Sequence, residues 1–199
     1  MRTISSWIVL IAVASAMAQT PSATPPAPLE TCTADDYAIY SAALNEIFGK
    51  QKAQKLALID QTSTGVPPGL AATTRFMGKA QPLLKEFPKE ARDDFDAKNK
   101  TPAKIEADKI KTSFEVTLVA PDEAVKLVQG RDGWADLRDR YQSHGITLVS
   151  RPGLDSDRTH ALLYTGTSCG SLCGGGDLIF LTKEGGQWKV SNIANIWMS

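Results

Sequence analysis

An α+β domain, with N-terminal helices packed on a C-terminal antiparallel β-meander, is predicted by three features of the sequence. Apolar residues recur at helical spacing early in the folded part. Short alternating runs fill the last third. The segments joining those runs are too short for the crossovers that parallel neighbours require. Composition agrees, since 42% hydrophobic and 22% charged residues over 199 positions describe an ordinary globular chain.

The N-terminus carries Arg2, the apolar run Trp7 to Ala14, and the small residues Ala16 and Ala18. This pattern predicts a signal peptide over residues 1–18 with cleavage before Gln19, and hence a periplasmic or extracellular protein. A spanning helix needs about 20 apolar residues, far more than this run supplies. No basic residue follows until Lys50, so a stop-transfer flank is missing and no stable membrane span is expected in the mature chain. Residues 19–30 hold Pro21, Pro25, Pro26 and Pro28 and read as an extended linker. A single domain is expected over 31–199.

Thr33 is placed to cap a helix with Asp35 and Asp36 in its first turn. Tyr37, Tyr40, Leu44, Ile47 and Phe48 then repeat at helical spacing, and Gly49 is the expected stop. The aromatic stripe is read as core, with a pocket lining as its alternative. Leu56 to Ile59 is a short apolar strand, and Gly65 to Gly69 is a loop. Between Lys85 and Lys111, fifteen of twenty-seven residues are charged, eight basic and seven acidic, the signature of a solvated helix surface. Asp93, Asp94 and Asp96 within it are expected to be solvated rather than calcium ligands. Phe114 to Leu118 alternates as a strand. Pro121-Asp122-Glu123 opens a helix, and Trp134, Leu137 and Tyr141 mark one face of the next. Four strands follow at Ile146–Ser150, Thr159–Thr167, Leu178–Lys183 and Gln187–Ile193. Turn chemistry joins them at Pro152-Gly153, Gly170–Gly176 and Gly185-Gly186. A curved sheet wrapped on the first helix, as in cystatin-like or NTF2-like domains, fits this order.

The chemistry-bearing residues are few. Lys and Arg total 22 against 22 Asp and Glu, which removes the electrostatic case for a nucleic-acid partner. Two histidines and three cysteines leave few soft ligands, so no metal site and no cofactor are expected. Gly166-Thr-Ser168-Cys-Gly170 matches the nucleophile-elbow pattern, but a glycine-rich segment and a strand follow it instead of a helix, and both histidines precede the serine. Cys169 and Cys173 lie four apart on one hairpin and are expected to form a disulfide, worth at most about 2 kcal/mol of loop entropy. A redox-active pair is the alternative, although thioredoxin-type pairs have two intervening residues and lie at a helix N-terminus. Cys32 remains over, read as a buried thiol, with a link to a second chain or a bond to one of the two loop cysteines as alternatives. The glycines before Asp177 lack the Lys-Ser/Thr of a phosphate loop and are read as hairpin glycines with positive φ. Asp155-Ser-Asp157 fails as a calcium loop because His160 stands at its glycine position. His144 beside Gly145 is read as a helix-end cap, and His160 as a strand residue. His144, His160, Ser168 and Asp177 are the candidate site residues that survive this reading, none with an assigned catalytic role.

Several segments together resemble a family of small exported bacterial proteins: Asp36-Tyr37-Ala-Ile-Tyr40-Ser, Ile59-Asp60-Gln61-Thr62, Gly133-Trp134 through Tyr141, Leu148-Val-Ser-Arg151, Ala161-Leu-Leu-Tyr164, Cys169-Gly-Ser-Leu-Cys173-Gly174, and the closing Gly186-Gln-Trp188. The family has no assigned activity. The resemblance implies an exported domain with these boundaries and carries no site residues. The expectation is an exported, non-catalytic binding or envelope-associated domain of unknown partner. An envelope hydrolase and a thiol–disulfide protein using Cys169 and Cys173 are the alternatives.

Overall fold

The computed structural model describes residues 28–64, 74–129, 132–170 and 172–199. The signal-peptide expectation, most of the linker and the Gly65–Gly69 loop lie outside them.

The chain enters through a two-residue strand β1 (Glu30–Thr31), so the end of the proline-rich segment is held by the fold. The first helix, α1 (Ala34–Leu44), starts as expected. Thr33 and Asp36 form a capping box in which the Asp36 N–H donates to Thr33 Oγ1 and the Thr33 N–H donates to Asp36 Oδ2. The helix does not run regularly to Gly49. It passes into a five-residue π turn, Asn45–Gly49. Then come β2 (Lys55–Ile59), α2 (Thr74–Glu86), α3 (Lys89–Lys98), β3 (Ala103–Lys104) and β4 (Glu115–Val119). The helices α4 (Pro121–Gln129) and α5 (Gly133–Tyr141) follow. The last strands are β5 (Ile146–Val149), β6 (Gly153–Leu154), β7 (His160–Gly170), β8 (Cys173–Glu184) and β9 (Gln187–Met198).

This is an α+β molecule whose main sheet runs β4-β2-β5-β7-β8-β9, with β6 also on β7. The C-terminal strands are antiparallel, as the short turns require. The other half is parallel: β2 pairs with both β4 and β5. The long stretches of chain after β2 and after β4 supply the crossovers that such pairing needs. The small β1–β3 pair is also parallel.

Helices cover both faces of the sheet. On one face α1 buries Tyr37, Tyr40, Ala43 and Leu44 against Leu56, Leu58, Leu163, Ile179 and Leu181. On the other, α2 and α3 bring Ala80 and Phe95 to Leu162, Tyr164, Leu178 and Phe180, while α4 and α5 bring Ala124, Leu137 and Tyr141 to Ala57, Val119 and Ile146. Successive strand residues thus feed opposite cores, as a two-period demands. None of the helices among the described residues is long and apolar enough to cross a membrane.

Two expectations are corrected here. Gly174, Gly175 and Gly176 belong to β8 instead of a turn, and none has a positive φ. Gly176 meets a different demand, because a Cβ there would lie 2.6 Å from atoms of the Trp197 indole on the neighbouring strand. Asp94 is not merely solvated: its carboxylate accepts the Leu154 N–H at 2.8 Å and pairs with Lys98, joining α3 to β6.

Candidate functional site

The α1-facing side of the sheet changes character along its length. At one end Leu163, Ile179 and Leu181 form core. Further along β7 the same face presents Thr165 and Thr167. Thr165 stands opposite Asp177 on β8, which stands opposite Asn195 on β9, and Thr167 stands opposite Thr147 on β5. The result is a polar patch where the apolar core stops.

Above this patch the π turn closes a cavity of about 500 Å³. Ile47, Phe48, Ala53 and Leu56 give it an apolar wall, while Thr147, Thr165, Thr167 and Asp177 give it a polar floor, with Lys55 and His144 at its sides. The volume lies in the range of small-molecule sites. Short π segments recur where a helix is adapted to a site, and here the turn brings Ile47 and Phe48 over the sheet. Thus the aromatic stripe divides: Tyr37, Tyr40 and Leu44 are core, but Ile47 and Phe48 line the cavity.

The floor has defined hydrogen bonds. Thr147 Oγ1 and Thr167 Oγ1 are 3.0 Å apart, and Thr165 donates to the Leu148 carbonyl at 3.1 Å. Asp177 Oδ1 accepts from Asn195 Nδ2 at 3.0 Å. Its second carboxylate oxygen accepts no hydrogen bond among the described residues, and Asp177 lines the cavity. Lys55 is held toward Glu115, 3.4 Å away.

His144 stands where this cavity meets the tip of the β7–β8 hairpin. Cys169 and Cys173 are disulfide-bonded at that tip, as expected, with Cα atoms 5.0 Å apart. A ring nitrogen of the exposed His144 and the two sulfurs all lie within 4.8 Å of one another. Gly145 permits this approach, because a Cβ there would overlap the Ser168 carbonyl and lie 2.9 Å from Cys169 Cβ. Ser143 secures the turn from below: its hydroxyl donates to the Gly145 carbonyl at 2.7 Å and accepts the Ala57 N–H at 3.1 Å. His144 is therefore not the helix cap. Gln142, in the left-handed conformation, ends α5 by donating its N–H to Arg138.

The other candidates are dispersed. His160 is nine residues back along β7 from Cys169, roughly 30 Å at the usual strand rise, so the two histidines share no site. Its Nδ1 lies 2.7 Å from Asp155 Oδ2, and its ring packs edge-on against Phe87. Asp155 also accepts from the backbone of Thr159 and His160. Burial opposes its ionisation, yet these hydrogen bonds prevail and hold its carboxyl below the ordinary value. Ser168 is exposed, lies on the sheet face opposite the cavity, and hydrogen-bonds neither histidine among the described residues. Cys32 is buried, with its sulfur 3.7 Å from the Tyr40 hydroxyl, and burial pushes the thiol up to about 11.

A larger groove, about 1040 Å³, lies between α2 and α3, but it borders Thr64 at the edge of the described residues. The cavity under the π turn is lined by described residues that include two of the four candidates, His144 and Asp177. The residues missed from sequence are Thr147, Thr165 and Thr167. Their only signal is a run of threonines on alternating strand positions, which by itself reads as ordinary strand composition. No family model, no curated protein and no solved structure matches the chain.

Proposed function

We propose that this is an exported bacterial binding domain that takes a small molecule in the cavity between the π turn and the sheet, and that it is not a hydrolase. The observation that carries this reading is the division of the cavity into an apolar wall and a threonine–aspartate floor, with one Asp177 oxygen left to accept a hydrogen bond. Such a site suits a compact ligand with an apolar body and an N–H donor at one end. Hydrolysis is disfavoured because Ser168 has no histidine partner among the described residues and faces away from the cavity. Export rests on the N-terminal pattern and is consistent with a disulfide at the hairpin tip.

An arylalkylamine such as phenethylamine, titrated into the labelled protein, is expected to shift the amide resonances of Thr147, Thr165, Thr167 and Asp177. Asp177→Asn should weaken its binding about tenfold, the scale of a lost charge-assisted hydrogen bond. The corresponding carboxylate, phenylpropionate, should bind less well to the unaltered protein. Equal binding of the two, or shifts confined to the α2–α3 groove, would refute the assignment. Mass spectrometry of the exported protein should give a chain beginning at Gln19.

A further inference from the structure

We propose that Cys169, Cys173 and His144 form a redox-gated site for a soft monovalent cation, Cu(I), that opens when the hairpin disulfide is reduced. The two sulfurs and a His144 ring nitrogen already lie within 4.8 Å of one another. Three donors around one ion, at about 2.0 Å for nitrogen and 2.3 Å for sulfur, are separated by roughly 3.5 to 4 Å. Opening the sulfur–sulfur bond therefore brings the sulfurs to ligating distance without moving the strands.

The hairpin is organised for this independently of the disulfide. Its strands pair in register from His160–Thr182 to Ser168–Gly174, and Gly170 pairs with Cys173 at the tip. Reduction leaves that ladder in place, so both thiols stay side by side. His144 is carried by the other neighbour of β7, the segment entering β5, and is held over the cysteines by the close approach at Gly145. A histidine from the turn entering a third strand is not needed to form a disulfide, but it completes a ligand set.

The donor chemistry selects the ion. Two thiolates and one imidazole form a soft set that favours Cu(I) or zinc over calcium or magnesium. Zinc takes four ligands in structural sites, and among the described residues the cluster has three. A three-coordinate S₂N set suits Cu(I). The step balances as follows. A dithiol gives two electrons and two protons to the Cys169–Cys173 bond and becomes a disulfide itself. Cu(I) then displaces both thiol protons to solvent and accepts the lone pair of the His144 nitrogen. No electron passes to or from the metal.

The test uses the exported chain, reduced with dithiothreitol, desalted without oxygen and titrated with Cu(I) against bicinchoninate as competing chelator. Reduced protein is expected to hold one equivalent of Cu(I) and to show a thiolate-to-copper charge-transfer band. Oxidised protein should hold none. His144→Ala should weaken binding by about tenfold or more, at least the effect of disturbing an outer-shell partner, and the Cys169→Ser/Cys173→Ser pair should abolish it. Circular dichroism would show that each variant is folded, and Asp177→Asn should leave the copper affinity unchanged, which separates this site from the cavity. Reduced protein that holds no more copper than the double-serine variant would overturn the proposal, as would a folded His144→Ala variant of undiminished affinity.

Discussion

Asp155 accepts hydrogen bonds from the Thr159 and His160 backbones and from the His160 ring, and this explains why a carboxylate beside a histidine is structural here. Its carboxyl lies below the ordinary 3.8 because those bonds favour the ionised form over the cost of burial. The stabilisation is complete above that value and is lost as pH falls through the lower, folded value. Stability measured by denaturant unfolding should accordingly drop as pH is taken below 3.8, and Asp155→Asn should flatten that decline. Cys32 makes the opposite case, an acid kept neutral. With its thiol raised from 9.0 to about 11, it should not react with a disulfide reagent at neutral pH. Thiol titration of the oxidised protein should give none in the native state and one after denaturation, since Cys169 and Cys173 are paired. Two or three thiols in the native state would contradict the pairing.

At the scale of elements, α1 is held by burial on several sides, Ile39 as well as Tyr37 and Tyr40, and its N-terminal box fixes where it begins. Replacing Thr33 by Ala removes the acceptor for the Asp36 N–H, while the backbone N–H at position 33 still donates to the wholly buried Asp36 carboxylate. A loss of about 1 kcal/mol is expected, read from the denaturation midpoint. The start of this helix was legible because a cap is written in consecutive residues. Its end was not. Gly49 does terminate the π turn, but whether the chain widens to a π turn depends on what Ile47 and Phe48 pack over, and that is set by distant strands. The same distinction separates the two glycine clusters. Gly185-Gly186 was correctly placed as a turn from local chemistry, with both residues at positive φ. Gly176 carries the composition of a turn but lies in β8, and Trp197, which covers it, is twenty-one positions away.

Across the whole molecule, two helical layers enclose a mixed sheet, and the disulfide closes only a small ring at one extremity of it. Loop entropy for such a ring is about 2 kcal/mol. For a domain of this size that corresponds to a melting-temperature change of roughly 4 to 8 °C. Reduction should therefore lower the melting temperature by no more than that and leave the unfolding cooperative, as followed by circular dichroism. Loss of the folded state on reduction would show the hairpin to be essential to the fold.

The sequence by itself determined the α+β class, the cap of α1, the C-terminal antiparallel strands and the cysteine pair, since each is written in residues close together along the chain. Tertiary structure decided which strands become neighbours. Only the pairing of β5 with β7 sets His144 over the disulfide, and only the ladder across β5, β7 and β8 gathers Thr147, Thr165, Thr167 and Asp177 under the π turn. Alternation along a strand says which residues share a face, but not which strand lies beside it, and a site made from several strands has no local signature.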